Sequence, residues 1–202
     1  MTSLIYLVRH GETALNAARI LQPPATPLSE RGLAQAERVA ARLAEAGLVQ
    51  VLVSDLRRAE MTAEAIARAS GAAIARDPEL AERNFGALRG RPYAELGLDP
   101  FAPDYAPPEG ESWPVFHARV DRAWARVDAA ARAAPGPIAV VTHGLVCHSV
   151  VSRLVELTPG LALQERGWRN TSVTVLEPAL RWRVTLLDDV SHLDEVRETG
   201  AA

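Results

Sequence analysis

The chain has 202 residues, of which 48% are hydrophobic, 23% charged and 5% aromatic, and its formal net charge is −3. That balance excludes an intrinsically disordered chain and a strongly basic nucleic-acid binder. The lone cysteine, Cys147, excludes an intrachain disulfide and a four-cysteine metal site.

The length predicts a single domain over residues 1–202, large enough to bury about 70% of its unfolded surface without a staple. There is no lysine, so all 22 basic side chains are arginine, a bias that reads first as one of coding. A few arginines can still build a local anion pocket on an acidic protein. No apolar run reaches the 18 or so residues of a membrane span, and the first residues lack the basic start and small-residue cleavage site of a signal peptide. The expectation is a cytoplasmic protein that engages neither membrane nor nucleic acid.

Residues 3–8, Ser-Leu-Ile-Tyr-Leu-Val, read as a buried strand that stops at Arg9-His10-Gly11. A helix is predicted over 29–46, with Leu33, Ala36, Val39, Ala40 and Leu43 on its apolar face, Ser29 as N-cap and Gly47 as stop. A second buried strand covers 49–53, and a helix from Asp55 to Ala69 ends at Ser70-Gly71. The stretch 86–114 is rich in proline, glycine and aromatics, and a loop of that length in a compact domain is usually functional. A helix over 115–134 precedes a third buried strand, 138–142, which ends in His143-Gly144 and feeds a helix over about 145–155. Two strands, 171–176 and 181–187, and a loosely held tail from Ser191 complete the chain.

Two strand ends thus carry a histidine followed by glycine. Parallel neighbouring strands would bring His10 and His143 to one sheet edge, where open α/β sheets place ligands. Each glycine would let backbone approach a ligand, and each following helix would aim N–H groups at an anion. The five histidines, His10, His117, His143, His148 and His192, show no metal-ligand spacing, so neither a metal nor an organic cofactor is expected. Arg57 and Arg58 open a helix, where a cation opposes the macrodipole; Arg57 reads as a solvated side chain. Glu82 on its own reads as a surface carboxylate.

Leu7-Val8-Arg9-His10-Gly11-Glu12-Thr13, with Asn16, resembles the signature of the histidine phosphatase superfamily, also called phosphoglycerate-mutase-like. Further blocks resemble it in order along the chain: Pro27-Leu28-Ser29 with Gly32 and Gln35-Ala36; Ser54-Asp55-Leu56 with Arg58-Ala59 and Thr62-Ala63; Leu80 with Glu82, Phe85-Gly86 and Arg89-Gly90; Gly110-Glu111-Ser112; and Val141-Thr142-His143-Gly144. The resemblance implies a three-layer α/β/α sandwich with a mainly parallel central sheet. It implies His10 as nucleophile, carrying a phosphohistidine. Arg9, Arg58 and His143 would bind the phosphoryl oxygens, with Asn16 and Gly144 as further phosphate or substrate contacts. Glu82 would be the general acid and then the base.

That assignment suits phosphoryl transfer, in which positioning and charge stabilisation dominate. The implied activity is hydrolysis of a phosphate monoester on a small phosphorylated metabolite, by a monomer or a homodimer. Two alternatives stand beside it: a phosphoglycerate-type mutase and a non-catalytic phospho-ligand binder. The sequence departs from the pattern at Gln22-Pro23-Pro24, where many relatives have Gln-Gly, and proline removes a backbone donor. The short Glu82–Ser112 connection favours hydrolysis over the mutase. Tyr93, Phe101, Tyr105 and Trp113 are candidates for the pocket rim, and Trp113 fits a core role equally well.

Overall fold

The computed structural model describes residues 3–163 and 167–196. Seven strands form one sheet: β1 (Ile5–Arg9), β2 (Gln50–Val53), β3 (Ala73–Arg76), β4 (Ile138–Thr142), β5 (Glu156–Leu157), β6 (Val173–Glu177) and β7 (Arg183–Asp189). Their order is β3-β2-β4-β1-β6-β7-β5. β6 alone runs antiparallel to its neighbours, β1 and β7, so the sheet is mainly parallel as expected.

Successive residues of a strand face opposite sides, and this sorts the core into two layers. Ile5, Leu7, Ile138 and Val140 pack against helices α4 (Trp113–Ala133) and α5 (Gly144–Arg153). Val8, Val51, Ala139 and Val141 pack on the other face against α2 (Glu30–Leu43) and α3 (Arg57–Ser70), and a single turn, α1 (Ala14–Ala17), lies between β1 and α2. This is the three-layer α/β/α sandwich. Phe116 at the centre of the first layer is fully buried, and truncating such a side chain to alanine costs about 3–5 kcal/mol. No helix among the described residues is long and apolar enough to cross a membrane.

The connections place the site. β1 leads to the face of α2, and its neighbour β4 leads through α5 to the opposite face. The chain therefore parts at the carboxyl ends of β1 and β4, leaving a crevice there. The predicted elements recur with ends shifted by no more than three residues, and β4 has the expected bounds. Leu33, expected on the apolar face of α2, is 45% exposed; Gly32 and Gln35 take the inward positions with Ala36, Val39, Ala40 and Leu43. Ser29 caps α2 by accepting from the Gly32 N–H at 3.0 Å. Gly71, at φ 74°, closes α3 in the left-handed region that glycine reaches without strain. The stretch 86–114 contains only short turns of 3₁₀ helix, Gly86–Leu88 and Tyr93–Glu95, before Ser112 caps α4. The start of the tail is more ordered than expected. Ser191–Val196 is a 3₁₀ helix beside α2, with Arg38 donating to the Leu193 carbonyl at 3.2 Å. The rest of the tail, 197–202, lies outside the described residues.

Candidate active site

The ladder between β1 and β4 continues one residue past the strand, with the His10 N–H donating to the Thr142 carbonyl at 2.9 Å. This fixes the backbone of His10 at the crevice. Its carbonyl accepts from the Asn170 side chain at 3.0 Å and from the Thr171 N–H at 3.3 Å. The following Gly11 N–H donates to the Thr62 hydroxyl at 3.1 Å, and that hydroxyl donates to the Arg58 carbonyl. One turn of α3 thereby holds both the loop after β1 and the arginine that faces it.

The imidazole of His10 is 2% exposed. Its Nδ1 lies 2.7 Å from the Gly11 carbonyl, which can only accept, so Nδ1 carries the proton. Its Nε2 receives the Nε–H of Arg58 at 3.3 Å and so keeps a lone pair. Burial, then Arg58 and Arg9, hold the ring well below the usual histidine pKa. His10 is therefore a neutral imidazole with its free nitrogen turned toward a guanidinium.

Arg58 is buried, and its Nη1 donates to the Pro23 carbonyl at 3.3 Å. Burial lowers its pKa to about 10, which leaves it charged at neutral pH. Arg57 turns outward to Glu60 and Glu64. Arg9 donates through Nη1 to the Trp168 carbonyl, while its buried Nε makes no hydrogen bond among the described residues.

Glu82 is not the surface carboxylate its local sequence suggests. The Thr142 hydroxyl donates to the Leu80 carbonyl at 2.6 Å and draws this segment to the end of β4. Arg119 of α4 donates to the carbonyls of Glu79 and Ala81, both at 2.8 Å, and of Glu82 at 3.3 Å. Glu111 completes the clamp, pairing with Arg119 at 2.7 Å and accepting from the Asn84 N–H at 2.9 Å. The Glu82 carboxylate accepts from the N–H groups of Arg83 at 3.0 Å and Leu145 at 3.3 Å. Desolvation raises its pKa against those bonds and against Arg58 and Arg9. The helix α5 N-terminus thus turns one of its N–H groups to this carboxylate.

His143 sits fully buried behind His10, with ring centroids 5.0 Å apart. Its Nε2 lies 2.8 Å from the Ser54 hydroxyl, and its Nδ1 makes no hydrogen bond among the described residues. Burial, then Arg58, His10 and Arg9, keep it well below the usual histidine pKa.

Arg9, His10, Asn16, Arg58 and Glu82 line one pocket of about 570 Å³, part of it open to solvent. Asn16 accepts from Asn170 at 3.4 Å. Gly144 backs onto Arg9, where an added Cβ would lie an ordinary 3.6 Å from Nε. Gly11 is required by packing. A Cβ on it would lie 2.6 Å from the Gly32 carbonyl, so the glycine lets the loop pack on α2. Tyr93 and Phe101 line the outer pocket; Tyr105 and Trp113 do not. Trp113 donates to the Ala102 carbonyl at 2.9 Å and stacks under the Arg83 guanidinium at 4.1 Å. Arg83 also donates to the carbonyls of Pro100 and Tyr105, tying the 100–111 stretch to the segment that carries Glu82. Gln22 and Pro24 line the pocket too, and the proline departure leaves Pro23 a carbonyl that anchors Arg58.

A model of the histidine phosphatase superfamily (branch 1) matches residues 5–189. The chain belongs to that superfamily. Within it, the chain is 35% identical over 208 residues to a Cronobacter sakazakii protein named "Probable phosphoglycerate mutase GpmB", with 94% of each covered. Among solved structures it is similar to Bacillus stearothermophilus YhfR, with TM-score 0.81, 28% identity and coverage of 95% of this chain and 100% of that one. It is also similar to a mycobacterial glucosyl-3-phosphoglycerate phosphatase complexed with VO3, with TM-score 0.77, 28% identity and coverage of 91% and 98%. The superfamily thus includes relatives named for both hydrolysis and isomerisation.

Proposed function

We propose that the chain is a phosphatase that hydrolyses a small phosphate monoester by double displacement at His10, without metal or organic cofactor. The observation that carries this reading is the His10 ring, neutral, with its unprotonated Nε2 facing Arg58. The Nε2 lone pair attacks phosphorus, a P–N bond forms, and the ester P–O bond breaks. Glu82, whose acid form is favoured by desolvation, gives its proton to the departing alkoxide. Water then attacks the phosphohistidine, the Glu82 carboxylate takes a water proton, and the P–N bond breaks to restore Nε2. Arg9, Arg58 and His143 hold the three equatorial oxygens as charge builds on them, which arginine does with a planar fork of donors. Asn16 and Gly144 contact the same group from its edges. The intact set of His10, Arg9, Arg58, Glu82 and His143 supports catalysis over passive binding.

The substrate edge is built by the 86–114 segment. Tyr93 and Phe101 offer apolar surface, and Arg89 lines the same pocket as a cation. Phosphatases among the similar structures support hydrolysis. The mutase reading is favoured by the name of the Cronobacter relative. One experiment separates them. The purified protein is incubated with EDTA and a panel of phosphate monoesters, 3-phosphoglycerate included. Release of inorganic phosphate supports the phosphatase; isomer without free phosphate supports the mutase; activity lost to EDTA and restored by a divalent ion overturns the metal-free mechanism.

A further inference from the structure

The part given to His143 depends on which of its ring nitrogens carries the proton, and the surroundings decide that. β2 lies next to β4, and Ser54, the residue after β2, continues their ladder by donating its N–H to the Val141 carbonyl at 3.1 Å. This sets the Ser54 side chain beside His143. Ser54 is fully buried, and its Oγ has two hydrogen-bond neighbours among the described residues. One is the Leu56 N–H at 3.2 Å, which can only donate. The other is His143 Nε2 at 2.8 Å.

A hydroxyl has one proton to give, and here Nε2 is its one acceptor. If Ser54 donates to Nε2, the histidine proton lies on Nδ1 and every hydrogen-bonding group of Ser54 is used. In the reverse arrangement the hydroxyl proton has no acceptor, whereas Nδ1 is without a partner among the described residues in either tautomer and does not favour one over the other. A hydroxyl stranded in this way costs about 1–3 kcal/mol. We propose that Ser54 is a positioning residue: it locks His143 as the Nδ1–H tautomer, so that the ring presents a hydrogen-bond donor to a phosphoryl oxygen.

This inference rests on the phosphoryl-transfer reading for its purpose, though not for its test. A phosphoryl group in transfer carries negative charge on its oxygens, and a bare Nδ1 lone pair would repel it. The ring cannot solve this by becoming a cation, because it is desolvated beside Arg58 and Arg9. The two histidines are locked by different groups. A backbone carbonyl holds the proton on Nδ1 of His10 and frees Nε2 to attack, whereas a side-chain hydroxyl occupies Nε2 of His143 and makes Nδ1 the donor.

The test is long-range ¹H–¹⁵N NMR on the full-length protein with ¹⁵N-labelled histidine, with the His143 signals assigned by their loss in His143→Gln. Wild type at neutral pH should show a protonated nitrogen at Nδ1 and an unprotonated one at Nε2 of His143. Protonation at Nε2, or averaging between the two, overturns the proposal even if the protein releases phosphate normally. In Ser54→Ala, the His143 signals should move toward averaged tautomers and the affinity for inorganic phosphate should fall about tenfold or more. An unchanged Nδ1–H tautomer with unchanged phosphate affinity in that variant also overturns it. If Ser54→Ala does not fold, the wild-type tautomer decides alone. A failure of hydrolysis with the Nδ1–H tautomer present would count against the phosphatase reading and leave the lock standing.

Discussion

Nε of Arg58 donates to Nε2 of His10 across 3.3 Å, from the first turn of a helix into the crevice left by two parallel strands. The contact explains two features of the sequence at once. It gives a reason for a cation at a helix start, where the macrodipole disfavours one, and it picks out one member of the Arg57-Arg58 pair.

Arg58→Ala should therefore lower kcat/KM by about 10²–10³-fold, the usual effect of removing one preorganised donor. Arg57→Ala should leave kcat/KM nearly unchanged, since Arg57 pairs with Glu60 and Glu64 on the surface, where such pairs are worth about 0–1 kcal/mol. Steady-state kinetics on any turned-over ester checks this. The opposite ranking would contradict the site.

The general acid can be tested through the leaving group. Glu82→Gln keeps the shape and, through its single amide oxygen, one of the two bonds from Arg83 and Leu145, but has no acidic proton to give. An alkyl phosphate leaves as a strongly basic alkoxide, so its burst rate should fall by about 10²–10⁴-fold. The burst with nitrophenyl phosphate, whose leaving group is weakly basic, should keep much more of its rate. Equal losses in both bursts would make Glu82 a binding residue.

The two pKa shifts set the pH profile of phosphorylation. His10 is depressed, so it stays neutral and nucleophilic as pH falls through the ordinary histidine value near 6.5. Glu82 is raised, so its acid form persists above the ordinary glutamate value and is lost as pH rises through its folded pKa. The burst rate on an alkyl ester should thus show no acid limb centred near 6.5 and should decline as pH rises through the raised pKa of Glu82, and Glu82→Gln should remove that decline. An acid limb centred near 6.5 would show that His10 titrates as an exposed histidine.

Much of this site was legible in the residues. Buried strands ending in His10 and His143 follow from apolar runs broken by polar chemistry, and neighbouring parallel strands bring the two rings together. Glu82 was legible only by resemblance, because its burial comes from Thr142, Arg119 and Glu111, far away in sequence. Ser54 and Thr62 stand in a block of the resemblance without a role, and Asn170 escapes altogether, for the same reason: small polar side chains carry no spacing signal, and their partners lie 51 to 160 residues away. β3 escaped because Ala73–Arg76 is a short, mostly exposed edge strand whose apolar residues are mainly alanine, which favours helix, and β5 because it has two residues. Trp113 was ambiguous by composition; Arg83 and the Ala102 carbonyl hold it away from the pocket.

Gly11 and Gly144 look alike in sequence and should behave differently. Gly11→Ala places a Cβ 2.6 Å from the Gly32 carbonyl, and backbone there must shift. It should cost about 1–3 kcal/mol, the range for overpacking, and lower Tm by about 2–4 °C per kcal/mol. Gly144→Ala meets its nearest atom at an ordinary 3.6 Å and should not lower Tm. Thermal denaturation of both variants checks the contrast.

The central claim is that His10 carries the phosphoryl group. Rapid acid-free quenching during turnover, followed by mass spectrometry of the peptide containing His10, tests it most directly. A phosphoryl group on Nε2 of His10 is expected, absent in His10→Ala, which should fold and retain less than about a tenth of the wild-type rate. A phosphoenzyme on another residue, or an active His10→Ala, would contradict the account.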